Sequence, residues 1–263
     1  MAMAEKQTVA VGGKQIRMLV GGQGPKLLYL HSAGADAEWG EAHELLARDF
    51  TVHMPSHPGF GESTGLEDVD DVLDLALHYA DLQDACGLRG AAIVGTSFGG
   101  WIAAELAALY PERVQTLVLV DALGLWLDAH PIAEIFGTTP PELAQRMFYD
   151  QQHPIAALMH AFTTISAIPE EIALPQMKIL EAVAKVGWNP YLHDPKLARR
   201  LGRVTASTLV VWGEQDRVTP LAYGERYRDL IPRARLAVLE RCGHLPPVER
   251  PDELARVVRG FLS

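Results

Sequence analysis

The stretch Ala91-Ala92-Ile93-Val94-Gly95-Thr96-Ser97-Phe98-Gly99-Gly100 decides how the chain is read. Its first half is a short apolar run of the kind buried inside a sheet, and its second half is a serine flanked by glycines that opens into a helical pattern. A strand that turns abruptly into a helix forces the central residue into a strained backbone conformation, so the residues two positions away must lack bulk. Gly95 and Gly99 meet that demand. Such a turn raises the serine oxygen above the sheet edge and aims the first amides of the next helix at whatever it attacks. Ser97 is therefore read as a nucleophile, against the plainer alternative of an ordinary glycine-rich turn.

On either side of this stretch, strand and helix patterns alternate. Residues 7–20 form two alternating runs joined at Gly12-Gly13, as in an antiparallel hairpin. Lys26 to Leu30 is a buried strand ending in the loop His31-Ser32-Ala33-Gly34-Ala35-Asp36. Open α/β sheets place ligands at such carboxyl ends. A helix over Trp39 to Ala47 precedes a strand over Thr51 to Met54 and the turn Pro55-Ser56-His57-Pro58-Gly59-Phe60-Gly61-Glu62-Ser63. From Asp70 to Cys86 the period is helical, with Val72, Leu75, Ala76, Tyr79 and Leu82 on one face and Gly87 placed to end it. Val114 to Val120 is a further strand, closed by Asp121.

From Ala122 to about Val204 the strand-like runs vanish. Prolines punctuate short helical pieces, and apolar residues recur as Trp126, Ile132, Ile135, Phe136, Met147, Phe148, Leu158, Met159, Phe162 and Ile165. Alternation then resumes with strands over Thr208 to Trp212 and Arg235 to Glu240 and helices over Pro220 to Leu230 and Asp252 to Leu262. The pattern implies a mostly parallel sheet flanked by helices and interrupted once by a helical insertion. Residues 1–122 and 205–263 would form the core, and 123–204 the cap.

Serine is a weak nucleophile near neutral pH; it needs a base, and the base needs an orienting carboxylate. The loop Trp212-Gly213-Glu214-Gln215-Asp216-Arg217-Val218-Thr219-Pro220 offers Asp216, and Cys242-Gly243-His244-Leu245-Pro246-Pro247-Val248-Glu249 offers His244. Each follows a strand, and the order Ser97, Asp216, His244 differs from that of the other well-known serine triads. Asp121 competes for the acid's role from the end of the preceding strand, while Glu214 is expected to be solvated. Of the ten histidines, His31 and His57 read as loop-packing residues, and His130, His153, His160 and His193 as solvent-facing residues of the insertion. No spacing suits a metal, and none is expected.

Taken together, the His31 loop, the Pro58-Gly59-Phe60-Gly61-Glu62-Ser63 turn, the Gly95 to Gly99 elbow, the Asp216 loop and the Gly243-His244 loop resemble the α/β-hydrolase fold superfamily over nearly the whole chain. The likeness implies an eight-stranded, mostly parallel sheet with a helical cap after the sixth strand. It implies Ser97 as nucleophile, His244 as general base and then acid, and Asp216 as the carboxylate that fixes the imidazole. The backbone amides of Ala33 and Phe98 would hold the oxyanion. Ser32 stands where relatives usually have glycine, and Ser56 where many have aspartate.

A serine at the elbow is incompatible with the alkyl-ester chemistry that relatives run from an aspartate there. The apolar cap favours a neutral, hydrophobic or aromatic substrate, with Trp126, Phe136, Phe162 and Leu245 as candidate pocket residues. Between Leu123 and Val186 the only cations are Arg146, Lys178 and Lys185. The first expectation is a carboxylic-ester hydrolase working through an acyl-enzyme, without a cofactor. The second is a hydrolase of carbon–carbon bonds in dienoate or diketone ring-fission products. Relatives of that kind often carry tryptophan after the histidine and a cap arginine, and Leu245 counts against it. A triad-retaining ligand receptor and a perhydrolase side activity are further alternatives.

The net charge of −10 and pI near 5.4 argue against nucleic acid or acidic membranes as partners. The two cysteines, Cys86 and Cys242, read as free thiols; no run approaches the ~18 apolar residues of a membrane span. The chain is read as a soluble cytoplasmic protein acting on a small molecule, as a monomer or homodimer.

Overall fold

The computed structural model describes residues 4–34, 36–164 and 168–263. Ala35 of the His31 loop and Ile165 of the insertion lie outside the described residues. Eight strands form one sheet: β1 (Glu5–Val11), β2 (Lys14–Gly21), β3 (Lys26–Leu30), β4 (Thr51–Pro55), β5 (Ala92–Thr96), β6 (Thr116–Val120), β7 (Ser207–Gly213) and β8 (Arg235–Leu239). Their order is β1-β2-β4-β3-β5-β6-β7-β8. β1 and β2 pair antiparallel as a hairpin, β2 meets β4 antiparallel, and every pairing from β4 to β8 is parallel.

The unbroken apolar runs that mark β5, β6 and β7 have a simple cause: both faces of these strands are covered. In β6, Leu117 and Leu119 point into one core and Val118 and Val120 into the other; in β5, Ile93 and Val94 divide the same way. The helices α2 (Val72–Ala85), α3 (Phe98–Leu109) and α8 (Ala222–Leu230) contribute to the first core, and α1 (Glu41–Leu46) and α10 (Pro251–Leu262) to the second. The five residues expected on the inner face of α2 are all buried. Asp71 caps that helix by accepting the amides of Leu73 and Asp74, and Gly87 follows with a left-handed φ of 62°.

Between β6 and β7 the described residues form the helices α4 (Pro140–Met147), α5 (Pro154–Ala161), α6 (Glu170–Gly187) and α7 (Leu197–Arg200). The way back to the sheet is anchored on α3. Arg200 Nη2 sits 2.6 Å from Glu105 Oε1, a wholly buried carboxylate, and 2.6 Å from Asp194. A short helix, α9 (Pro246–Glu249), not foreseen in the sequence, follows His244; its opening prolines suit a first turn, where no amide is needed. Cys86 and Cys242 are both free thiols. Among the described residues, no helix is long and apolar enough to cross a membrane.

Candidate active site

Ser97 sits between β5 and α3 with φ 50° and ψ −110°, a conformation that L residues rarely adopt. Neighbouring backbone holds it there: its N–H donates to Val120 O at 2.8 Å, and its carbonyl accepts from Leu123 and Trp101 at 3.1 Å each. The requirement for glycine is steric. A Cβ on Gly95 would lie 2.5 Å from Gly99 O, and one on Gly99 would lie 2.1 Å from Leu30 O and 2.5 Å from His31 O. The first turn of α3 is thereby pressed against the end of β3 and the loop that follows it. Neither the Ala33 nor the Phe98 amide is engaged in a loop or capping hydrogen bond among the described residues.

Ser97 Oγ lies 2.9 Å from His244 Nε2, and His244 Nδ1 lies 2.7 Å from Asp216 Oδ2. All three side chains are buried. The loop after β7 makes an Asx turn around its acid: Asp216 Oδ1 accepts the amides of Val218 and Thr219 at 2.7 and 3.0 Å, and Thr219 Oγ1 donates to Oδ2 at 2.8 Å. Thr219 also lies 3.3 Å from His244 Nδ1. Thr219 does not stand out in the sequence, although the spacing Asp216-Arg217-Val218-Thr219 is the signal for such a turn. A carboxylate that accepts on Oδ1 from its own loop and on Oδ2 from the imidazole favours the tautomer whose Nε2 lone pair faces the serine.

The competing acid is near but differently used. Asp121, also at positive φ, is fully buried, and its Oδ1 accepts the Gly213 amide at 2.9 Å. Burial and the neighbouring Asp216 push its carboxyl well above the usual range. Glu214 is exposed.

His31 and His57 pack in the loops beneath the site. His57 Nε2 lies 2.8 Å from His31 O and its Nδ1 2.5 Å from Tyr79 Oη, and burial lowers both imidazoles, holding them neutral. Tyr29 joins two parts of the site: its hydroxyl donates to Asp36 Oδ2 and contacts Thr96 Oγ1, both at 2.9 Å, while Asp36 Oδ1 accepts the Ser32 amide at 2.8 Å. Neither Tyr29 nor Asp36 stands out in the sequence as more than a strand residue and a loop residue. Among the histidines of the insertion, His153 stacks on Phe148, His160 bonds Gln151, and His193 lies against Trp126.

The candidate pocket residues are scattered. Trp126 is 38% exposed, and its indole N–H donates to Asp128. Phe136 packs on Trp188 and Tyr191, and Phe162 ends α5, half-buried. Leu245 adjoins the serine–histidine pair directly, as the chain neighbour of His244, and is buried with Ala144, Phe148 and Ala156.

Residues 25–251 match the family model of the alpha/beta hydrolase fold. The 2-hydroxy-6-oxo-6-phenylhexa-2,4-dienoate hydrolase of Burkholderia cepacia is 28% identical, covering 92% of this chain and 89% of that protein. The solved structure of the enzyme of that name from Rhodococcus sp. strain RHA1 superposes with a TM-score of 0.80 at 26% identity, covering 100% of this chain and 99% of that one. A bacterial membrane phospholipase A superposes with a TM-score of 0.79 at 30% identity, covering 98% of this chain and 86% of that one. With its sheet order, its serine elbow and this match along most of its length, the chain belongs to the alpha/beta hydrolase fold family.

Proposed function

We propose that the protein is a serine hydrolase that cleaves a carbon–carbon bond next to a ketone in a dienoate ring-fission product, with Ser97, His244 and Asp216 as its triad. The observation that carries the choice of bond is the likeness, end to end, to dienoate hydrolases in both sequence and structure. The preference for an ester drawn from the sequence alone gives way to it. In this reading His244 Nε2, 2.9 Å away, takes the Ser97 proton as Oγ adds to the ketone carbonyl, and the resulting oxyanion is held by the amides of Ala33 and Phe98. The C–C bond then breaks with its electron pair leaving on carbon. A carbanion is a poor leaving group unless delocalised, so the dienol first shifts its hydroxyl proton to the carbon beside the ketone; cleavage then releases a conjugated dienolate, whose oxygen takes the proton from His244. Water then hydrolyses the acyl-enzyme to release a carboxylic acid. Segment 123–204 serves as the cap over the serine.

The second reading, an ester hydrolase, rests on Leu245, which lines the position after His244 with an apolar side chain, and on the likeness to the phospholipase A. Purified protein is to be incubated with 2-hydroxy-6-oxo-6-phenylhexa-2,4-dienoate and, separately, with p-nitrophenyl esters of graded length. Rapid loss of the dienoate chromophore with benzoate release, abolished in Ser97→Ala, is expected. Fast ester cleavage with an inert dienoate would transfer the assignment to the esterase, and full activity in folded Ser97→Ala would remove Ser97 from the mechanism.

A further inference from the structure

Glu249 closes α9, five residues after His244. Its carboxylate is used by three backbone amides from two parts of the chain. Oε2 accepts the Gly243 N–H at 2.6 Å, immediately before His244. Oε1 accepts the N–H groups of Tyr149 and Asp150 at 2.8 and 2.9 Å, in the connection between α4 and α5. The same two parts meet at other points. The His244 amide donates to Met147 O at 2.7 Å, a Cβ on Gly243 would lie 2.2 Å from that same oxygen, and Leu245 is buried among Ala144, Phe148 and Ala156. The histidine loop is therefore built partly from the inserted segment, with one carboxylate oxygen turned toward each.

We infer that Glu249 is a positioning residue that sets His244 against Ser97 by clamping the Gly243 amide to the Tyr149–Asp150 turn, so that the α4–α5 segment and the histidine loop hold their place together. The inference rests on the reading of Ser97 and His244 as nucleophile and base. Burial pushes its carboxyl upward, and the three amides, with His153 nearby, oppose that push. Three amides aimed at one side chain give a connection with little freedom to rotate. An amide side chain cannot reproduce it, because its NH2 opposes an N–H at one end. Aspartate, one methylene shorter, cannot reach both ends.

The test uses the full chain bearing Glu249→Gln or Glu249→Asp. Capture of Ser97 by a fluorophosphonate needs only a serine made nucleophilic by its histidine, so it reports on the pair whichever bond the enzyme cleaves. Both variants are expected to lose about 10- to 100-fold in kcat and in the labelling rate together, with KM within about 3-fold, because a reacting geometry off by about an ångström costs that much. Hydrogen–deuterium exchange at residues 149–150 and 243–244 is expected to rise in parallel. A folded variant that keeps the wild-type labelling rate and kcat would reduce Glu249 to a structural role and overturn the inference, as would faster exchange at one of the two sites alone. If Glu249→Gln does not fold, Glu249→Asp, which keeps the charge, decides by the same readouts. Wild-type protein that is labelled but inert toward the dienoate would overturn the substrate reading while leaving this test intact.

Discussion

Gly99→Ala isolates the geometry on which the site depends. A Cβ at this position would stand 2.1 Å from the Leu30 carbonyl oxygen and 2.5 Å from that of His31. An ordinary carbon–oxygen contact is about 3.3 Å or more, so the first turn of α3 and the end of β3 must separate by roughly 1.2 Å. No flexible side chain is available to absorb this, since both obstacles are backbone. Overpacking of this kind costs about 1–3 kcal/mol, which in a chain of this size lowers Tm by several degrees. The catalytic cost is expected to be larger than the thermal one. Oxyanion donors act over about 2.7–3.1 Å, so with the Phe98 amide in its proposed role a shift near 1 Å is expected to cost about 10²–10³ in kcat. Steady-state kinetics on the substrate found to be turned over, together with a thermal melt, measures both. Gly260→Ala in α10 is the control: nothing lies within 4 Å of the added Cβ, and stability should rise by about 0.5–1 kcal/mol. Gly99→Ala with kcat within about 3-fold of wild type and an unchanged melt would refute the reasoning.

The two neighbouring acids should respond in opposite ways. Asp216→Asn removes the carboxylate bonded to His244 and is expected to lower kcat by about 10³–10⁴, whereas Asp121→Asn keeps the oxygen that accepts the Gly213 amide and should stay within about 3-fold; the reverse ranking in a kcat comparison would reassign the acid. Acid should also weaken the fold through its buried imidazoles. Burial pulls His43 and His78 down to about 4, so below the ordinary value near 6.5 the unfolded chain binds protons at these sites that the folded chain does not. Stability then falls with falling pH across that window, by up to roughly 1.4 kcal/mol per pH unit for each group. His78 Nε2 has no hydrogen-bond partner among the described residues, so His78→Phe should flatten the dependence of Tm on pH between neutrality and pH 5; an unchanged slope would show that His78 does not contribute.

The order and type of the elements were legible along the chain because both physical signals are local. Apolar runs such as Leu117 to Val120 are continuous because the strand is covered on two faces, and Gly95 is required by Gly99, Gly100 and Ala103 within the same turn, whereas the demand on Gly99 comes from the distant Leu30 and His31 carbonyls. Three loops that each end a parallel strand open at the same edge of the sheet, which is why Ser97, Asp216 and His244 could be grouped before any distance was known. What the sequence left open depends on side chains that meet across long separations. Asp121 and Asp216 are equally acidic as residues; only folding gives one the imidazole and buries the other where its carboxyl is pushed upward. Tyr29, Asp36 and Glu249 carry no mark in a linear pattern, because each acts through a backbone amide or hydroxyl that the fold brings to it. The apolar residues of 123–204 show the same limit: composition announces a helical insertion, but the direction in which Trp126 or Phe136 points is decided by how those helices settle.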